Sequence, residues 1–185
     1  MARDVVMVNG LPGSGKSTLA PRLAAALGAA CLDADRIEEA LTGAVVTEVP
    51  GLPAVARETV WTLAAALSGM VVVDAWWFRP RDLEQARAGL ARAGATATVE
   101  IWCEAPAEVA RARFAARRRP SVHADGERLT REWAAWAAGA APLGLGPVVR
   151  IDTTGPLDLR ALGHRVRELL WDRSDLEKPG PGGAS

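Results

Sequence analysis

Residues 5–27 read VVMVNGLPGSGKSTLAPRLAAAL and decide the fold. The β-branched run from Val5 to Val8 indicates a buried strand, and the Ala- and Leu-rich segment from Lys16 to Leu27 indicates a helix. Between them lies a glycine-rich loop, Gly10 to Thr18. A strand, a tight loop and a helix in this order form the context in which such a loop binds the phosphates of a nucleotide.

Each part of the glycine-rich loop has a role in the predicted phosphate site. Gly10, Gly13 and Gly15 have no β-carbon, so backbone N–H groups can approach phosphate oxygens. Lys16 is expected to reach the terminal phosphates, and the Ser17 hydroxyl is expected to bind Mg²⁺. The predicted nucleotide-binding set is Gly10, Leu11, Pro12, Gly13, Ser14, Gly15, Lys16, Ser17 and Thr18. An ordinary glycine-rich turn before a helix is the alternative, but it does not require this complete spacing.

The rest of the chain alternates between strand and helix patterns. Strands are predicted at Val5–Val8, Ala30–Leu32, Met70–Val73, Thr96–Cys103 and Val148–Ile151, and helices at Lys16–Leu27, Arg36–Leu41, Pro53–Leu67, 83–93, Ala107–Ala116, Glu127–Ala138 and Leu157–Leu170. With right-handed crossovers this alternation gives a five-stranded parallel sheet in a three-layer αβα fold. We expect one domain over residues 1–177, a small helical lid at about 116–127, and a disordered tail at 178–185.

Composition narrows the class of protein. The chain has 185 residues, 49% of them hydrophobic, and its 22 basic residues balance its 22 acidic ones. A chain of this length can bury one core. Because its net charge is zero, it lacks the excess of positive charge that binds the nucleic-acid backbone. The apolar run near the N-terminus is too short for a signal peptide, and no stretch is long enough to span a membrane. We expect a cytoplasmic monomer or homodimer with neither a nucleic-acid nor a membrane partner, and buried thiols at Cys31 and Cys103.

Two carboxylates follow the second strand, at the edge where ligands bind in open α/β sheets. Asp35 is predicted to cap the next helix, point into the cleft and act as general base, with Asp33 turned back toward the loop. Either residue could receive a hydroxyl proton. The alternative is that Asp35 only caps its helix and Asp33 is a surface charge. Arg36 joins both in the predicted acceptor site.

A third carboxylate, Asp74, follows the buried run from Met70 to Val73. At the end of a central strand it is expected to hold Mg²⁺, directly or through water, although a structural strand-end aspartate is the alternative. We include Asp74 in the acceptor site as well. Trp76 and Trp77 come next and are predicted either to form an apolar wall for the acceptor or to pack in the core.

Arg117, Arg118 and Arg119 lie in the predicted lid. Their guanidinium groups could close over the polyphosphate and stabilise the charge that develops during transfer. A closed lid would also exclude water, which separates a kinase from an ATPase. A solvated basic turn is the alternative for each arginine.

Several motifs resemble the small-molecule kinase branch of P-loop proteins, which contains shikimate kinase, gluconate kinase and chloramphenicol phosphotransferase. The matching motifs, in family order, are Gly10 to Thr18, Leu32 to Asp35, Arg57, Val73 to Asp74, Arg113, Arg119 to Pro120 and Ile151 to Thr154. Likeness to chloramphenicol phosphotransferase implies that Asp35 is the base and that Asp74 matches an aspartate after the third strand. Likeness to shikimate kinase implies that Arg113 packs near the adenine, Arg119 is the lid arginine and Arg57 faces the acceptor. It also implies that the turn Asp152 to Pro156 lines the adenine pocket, through Thr153, Thr154 and Pro156.

The resemblance does not extend to the acceptor. Shikimate kinase has a Gly-rich turn where this chain has Asp74 to Phe78, and its substrate-binding arginine is replaced here by the stretch 140–144, AAPLG. We therefore expect a phosphotransferase that uses ATP and Mg²⁺. Its acceptor is expected to be a hydroxyl of a small metabolite or antibiotic other than shikimate. The predicted catalytic residues are Lys16, Asp35 and Arg119, and Arg117 is predicted to contact the nucleotide. The alternatives are a polynucleotide or nucleotide-sugar kinase of toxin type and a nucleotide-dependent regulatory ATPase.

Overall fold

A computed structural model describes residues 3–45, 49–116 and 125–176 of the chain. The strands in these segments are β1 (Arg3–Asn9), β2 (Ala30–Asp33), β3 (Val71–Asp74), β4 (Ala95–Glu104) and β5 (Val148–Asp152). The helices are α1 (Lys16–Leu27), α2 (Ala34–Ala44), α3 (Leu52–Ala66), α4 (Arg79–Ala93), α5 (Ala107–Ala115), α6 (Asp125–Gly139) and α7 (Leu159–Leu176). The order of elements matches the sequence pattern, with shifted boundaries at several helices.

The five strands form one parallel sheet in the order β2-β3-β1-β4-β5. This confirms the three-layer αβα architecture. In β1 the four residues Val5 to Val8 are fully buried, as a central strand covered on both faces must be. Because all strands run in parallel, their carboxyl ends meet at one edge, where β1 leads into the glycine-rich loop and β2 and β3 end in aspartates.

Alternate residues of β1 face two separate cores, as the two-residue period of a strand requires. Val6 and Val8 pack with Leu19 and Leu23 of α1 and with Val166 of α7. On the other face the cluster is built from the remaining β1 residues and from α3 and α4; it includes Val5, Met7, Val60, Trp61 and Leu90. The helices on both faces hold the carboxyl edge of the sheet in a fixed position.

A third apolar cluster lies over the glycine-rich loop. Leu11 of the loop packs with Phe114 of α5 and with Trp133 and Trp136 of α6. The ring centroids of these three aromatic residues are 6.4 Å apart in each pair. The pair of helices that flanks the predicted lid is therefore anchored directly on the loop.

Several predictions fall on residues that the structure does not describe. Arg117, Arg118 and Arg119, most of the predicted lid and the tail 178–185 lie outside the described residues. The predicted lid at about 116–127 stays a prediction; α6 begins at Asp125, within its last residues. The prediction of a buried thiol is wrong for Cys31, which is exposed on the edge strand β2. None of the described helices combines the length and the apolar character that a membrane crossing requires.

Candidate active site

The glycine-rich loop needs glycine at the predicted positions. Gly10, Gly13 and Gly15 have φ values of 142°, 82° and 92°, a region that residues with side chains rarely adopt. A β-carbon on Gly13 would lie 2.0 Å from the carbonyl oxygen of Ala110, and one on Gly10 would lie 2.5 Å from that of Cys103. The loop therefore passes too close to α5 and β4 for any larger residue.

Lys16 opens α1 and is only 5% exposed. Its ammonium group donates a hydrogen bond to the carbonyl oxygen of Leu11 at 3.0 Å and lies 6.0 Å from the ring centroid of Trp76. Nearby, the Ser14 hydroxyl is buried with no hydrogen-bond partner among the described residues. A cation, an unpaired hydroxyl and the positive end of a helix at one loop together suit an anion such as a nucleotide phosphate.

Asp74 ends β3 and is only 2% exposed. Burial raises the pKa of its carboxyl group to about 6, although the charge of Lys16 and the Ser17 hydroxyl lower it. No described group reaches either carboxylate oxygen with full hydrogen-bond geometry. A buried carboxylate beside the phosphate loop with both oxygens unpartnered is suited to a cation, so the residues present fit Mg²⁺.

Asp33 stands next to Asp74, because the two residues are register partners across β2 and β3. Its proximity contributes to the raised pKa of Asp74. Burial is also the largest cause that raises the pKa of Asp33 itself. Two carboxylates side by side form a negatively charged pair in front of α1, where the sequence predicted only separate roles.

The predicted helix cap is wrong. Asp33, not Asp35, is the N-cap of α2, since its carboxylate accepts a hydrogen bond from the Arg36 backbone N–H at 3.1 Å. Asp35 lies within the first turn of α2, half-buried. The Arg36 side chain is 78% exposed, with Nε 3.5 Å from the Asp33 carboxylate.

A cavity of about 470 Å³ opens on the other side of the loop, where the sequence predicted the adenine pocket. Three residues of the predicted adenine pocket, Arg113, Thr153 and Pro156, line it together with Gly13, Gly15 and Thr18 of the loop. The Thr153 hydroxyl lies 2.5 Å from the carbonyl oxygen of Ser14, which fastens this wall to the loop. Thr154 does not line the cavity; its N–H and hydroxyl donate to the Asp152 carboxylate.

Arg22 also lines this cavity and was missed from the sequence. It lies four residues after Thr18 on α1, so helical spacing places both on one face. That spacing was the signal that could have revealed it.

The two tryptophans after Asp74 have different environments. Trp76 is half-buried, with its ring centroid 5.8 Å from that of Phe78 and 6.5 Å from that of Trp136. Trp77 is fully buried, 5.6 Å from Trp61 of α3. The structure thus places Trp77 in the core, which was one of its two predicted roles, and leaves Trp76 as the aromatic residue beside Lys16.

Arg57 lies on α3, and its Nε donates a hydrogen bond to Gln85 of α4 at 3.0 Å. This contact holds part of the guanidinium group between two helices. Its predicted role at the acceptor stays a prediction.

Two further buried polar residues, Asn9 and Glu100, were missed because neither belongs to a recognised motif.

The parallel sheet, the glycine-rich loop before a buried lysine and the strand-end aspartates define a P-loop nucleotide-binding protein. A family model described as an AAA domain matches residues 5–143, and the chain belongs to this family.

Comparison with known proteins places the chain near small-molecule kinases. It is 49% identical over 49 residues to a shikimate kinase of Corynebacterium efficiens, a match that spans 26% of this chain and only 29% of that enzyme. A protein of Chloroflexus aurantiacus j-10-fl, assigned as a kinase, superposes with a TM-score of 0.73 at 23% identity over 92% of this chain and 100% of that chain. A gluconokinase of Sinorhizobium meliloti 1021 superposes with a TM-score of 0.53 at 19% identity over 93% and 92% of the two chains. The structural matches show a shared fold.

Proposed function

We propose that this protein transfers the γ-phosphoryl group of ATP to a hydroxyl group of a small molecule. The observation that carries this proposal is the pair of carboxylates, Asp33 and Asp74, at the ends of neighbouring strands beside Lys16. In a site that only binds phosphate, buried carboxylates would weaken binding, because they repel the negatively charged ligand. A phosphoryl-transfer site needs such groups, to hold a metal ion and to receive a proton.

The loop residues bind the polyphosphate, and Lys16 exchanges the Leu11 carbonyl for phosphate oxygens. Asp74 and Ser17 would hold Mg²⁺, with Asp33 close enough to support them, since two unpartnered oxygens of Asp74 are available. When bound, the ion supplies positive charge that neutralises the transferring group. The cavity lined by Arg113, Thr153 and Pro156 suits the adenine base.

Asp35 is the proposed general base. Asp35 lies in the first turn of α2, beside the Asp33–Asp74 pair at the carboxyl edge of the sheet, and the resemblance to chloramphenicol phosphotransferase assigns it this role. The acceptor hydroxyl gives its proton to Asp35 while its oxygen bonds to the γ-phosphorus, and the bond to the bridging oxygen of the departing ADP breaks.

The acceptor is proposed to lie near Asp35, Arg36, Trp76 and, by resemblance, Arg57. The resemblance also assigns Arg119 to stabilise the transferring phosphate and adds Arg117 as a phosphate contact; both lie outside the described residues. By their names, the gluconokinase and the shikimate kinase act on gluconate and on shikimate. These names support a hydroxylated small molecule as the acceptor class.

The proposal is tested by incubating the protein with Mg-ATP and a panel of hydroxylated metabolites and antibiotics. Release of ADP together with a phosphorylated product, identified by mass spectrometry, is the expected result. Asp35→Asn should lower the rate of transfer by about 100-fold or more, the usual contribution of a general base. Its nucleotide affinity should stay near that of the wild type.

Asp33→Asn is the matched control, two residues away and of the same chemistry. We expect it to raise the Mg²⁺ concentration needed for half-maximal transfer rather than to remove transfer. If Asp35→Asn retains full transfer and Asp33→Asn loses it, Asp33 is the base. If ATP is hydrolysed slowly and no panel member is phosphorylated, the protein is better described as a nucleotide-dependent ATPase.

A further inference from the structure

A buried polar group lies directly before the glycine-rich loop, on the side away from the nucleotide cavity. Asn9, the last residue of β1, is fully buried, and all its hydrogen-bonding groups are used. Its side-chain oxygen accepts from the N–H groups of Gly10 and Trp77 at 2.8 and 3.0 Å. Its amide nitrogen donates to the carbonyl oxygen of Trp77 at 3.2 Å. One side chain thus holds the first residue of the loop and both backbone groups of Trp77.

Glu100 on β4 continues this arrangement from Asn9 to the segment after α6. It is 1% exposed, and one of its carboxylate oxygens accepts from the Asn9 amide nitrogen and from the Leu143 N–H, both at 2.9 Å. Its other oxygen accepts from the Gly144 N–H at 2.9 Å. Asn9 and Glu100, which we call the Asn9–Glu100 pair, therefore join three chain segments that are distant in sequence.

The three segments are those that carry the proposed site. Gly10 begins the phosphate loop, Trp77 lies between Trp76 and the start of α4, and Leu143 follows α6, whose Trp136 contacts Trp76. Asn9 also follows Val8, the register partner of Asp74. A displacement of any segment would break hydrogen bonds to the same two side chains, so their positions are coupled.

Resting on the proposed function, we propose that Asn9 and Glu100 are positioning residues. They keep the phosphate loop, the segment after Asp74 and the segment after α6 in fixed positions relative to one another, as transfer requires. Apolar residues at these two positions would leave the surrounding backbone N–H groups without acceptors. Here the two side chains instead present acceptors to four backbone N–H groups that no strand or helix ladder uses. They act through the loop and Trp76 and do not touch the substrates.

The test uses Glu100→Gln, with Glu104→Gln on the same strand as a matched control whose side chain is exposed and pairs with Arg150. Glutamine removes one of the two acceptor oxygens, so at least one of the N–H groups that donate to Glu100 loses its partner. Amide hydrogen exchange should accelerate at Leu143 and Gly144 and also at Gly10 and Trp77, which Glu100 does not contact. Affinity for Mg-AMP-PNP, measured by calorimetry, should fall about tenfold. Glu104→Gln should change neither.

Two further variants separate positioning from general destabilisation. Val166→Ala truncates a fully buried residue of α7 in the opposite core cluster and should lower stability without changing nucleotide affinity. Asn9→Asp keeps the acceptor for Gly10 and Trp77 but replaces the donor to Glu100 by a second carboxylate, and it should accelerate exchange at the same four amides. It supplies the test if Glu100→Gln does not fold.

The proposal is overturned if exchange accelerates only at Leu143 and Gly144, or if Val166→Ala weakens nucleotide binding as much as Glu100→Gln does. If the wild-type protein binds no Mg-AMP-PNP, the proposed function fails instead. The exchange pattern then still decides whether the pair couples the three segments.

Discussion

Among single residues, Asp74 has the environment most opposed to its charge. Burial raises its pKa from 3.8 to about 6, so the folded protein binds this proton more tightly than the unfolded chain does. The stabilisation from the proton is complete below the unfolded pKa and is lost as pH rises through about 6. Above that pH the folded protein carries a buried charge, which Lys16 and the Ser17 hydroxyl offset in part and a bound cation would offset further.

Asp74→Asn should therefore remove a pH dependence of stability. We expect the stability of the wild type relative to Asp74→Asn to fall by on the order of 2–3 kcal/mol between about pH 4 and pH 7. Urea denaturation at several pH values, without Mg²⁺ or nucleotide, measures this difference. Adding Mg²⁺ and AMP-PNP should stabilise the wild type and leave the variant almost unchanged. Parallel stability curves for the two proteins would show that Asp74 is not destabilised by burial.

The sequence pattern pointed to Asp33, Asp35 and Asp74 as site candidates, but it did not show which of the first two caps α2. Both aspartates have the same high N-cap propensity, and the choice depends on which carboxylate meets the Arg36 N–H. That contact is set by where β2 ends, which the pattern located one residue too early. Trp77 could not be assigned either, because its burial depends on Trp61 of a distant helix.

On the scale of helices, Gly89 determines how closely α3 and α4 pack. It lies inside α4, where a β-carbon would be 2.2 Å from ring atoms of Trp61. Trp61 is fully buried against Trp77 and has no room to move. Alanine normally favours a helix over glycine by about 1 kcal/mol, but the overlap outweighs this gain.

Gly89→Ala is expected to lower the free energy of unfolding by about 1–3 kcal/mol, measured by urea denaturation. Gly43→Ala is the matched control, since Gly43 lies in the last turn of α2 with nothing within 4 Å of an added β-carbon. That variant should be unchanged or up to about 1 kcal/mol more stable. If both substitutions changed the free energy of unfolding equally, α3 and α4 would have to move apart easily enough to accommodate the added methyl group.

The elements themselves were well predicted, because their periodicity is local. The strand, loop and helix from Val5 to Leu27 needed no tertiary information. The predicted helix began only at residue 83, whereas α4 begins at Arg79. The buried Asp82 carboxylate accepts a hydrogen bond from the Phe78 N–H, and this contact fixes the earlier start of the helix. The Asn9–Glu100 pair was missed for a different reason, since its two residues are 91 positions apart in sequence.

At the scale of the whole molecule, the proposed nucleotide site draws on several elements along the carboxyl edge of the sheet. The loop and α1 supply the phosphate contacts, β2 and β3 supply the carboxylates, and the turn after β5 supplies the base pocket. A ligand that binds all of them only in the folded state must stabilise the whole fold. At a ligand concentration about 100 times Kd the gain is about 2.7 kcal/mol.

Mg-AMP-PNP should accordingly raise the Tm of the wild type by about 5–10 °C, measured by differential scanning calorimetry. Lys16→Met should cut this shift to below about 2 °C, because the buried ammonium group is the cation that meets the phosphates. Lys178→Met is a suitable control, since Lys178 is the only other lysine in the chain, and it should keep the full shift. The shift should also shrink when Mg²⁺ is removed with EDTA, since the Asp74 and Asp33 charges then face the phosphates unscreened. A full shift in Lys16→Met would mean that the nucleotide binds elsewhere and that the carboxylate pair serves another ligand.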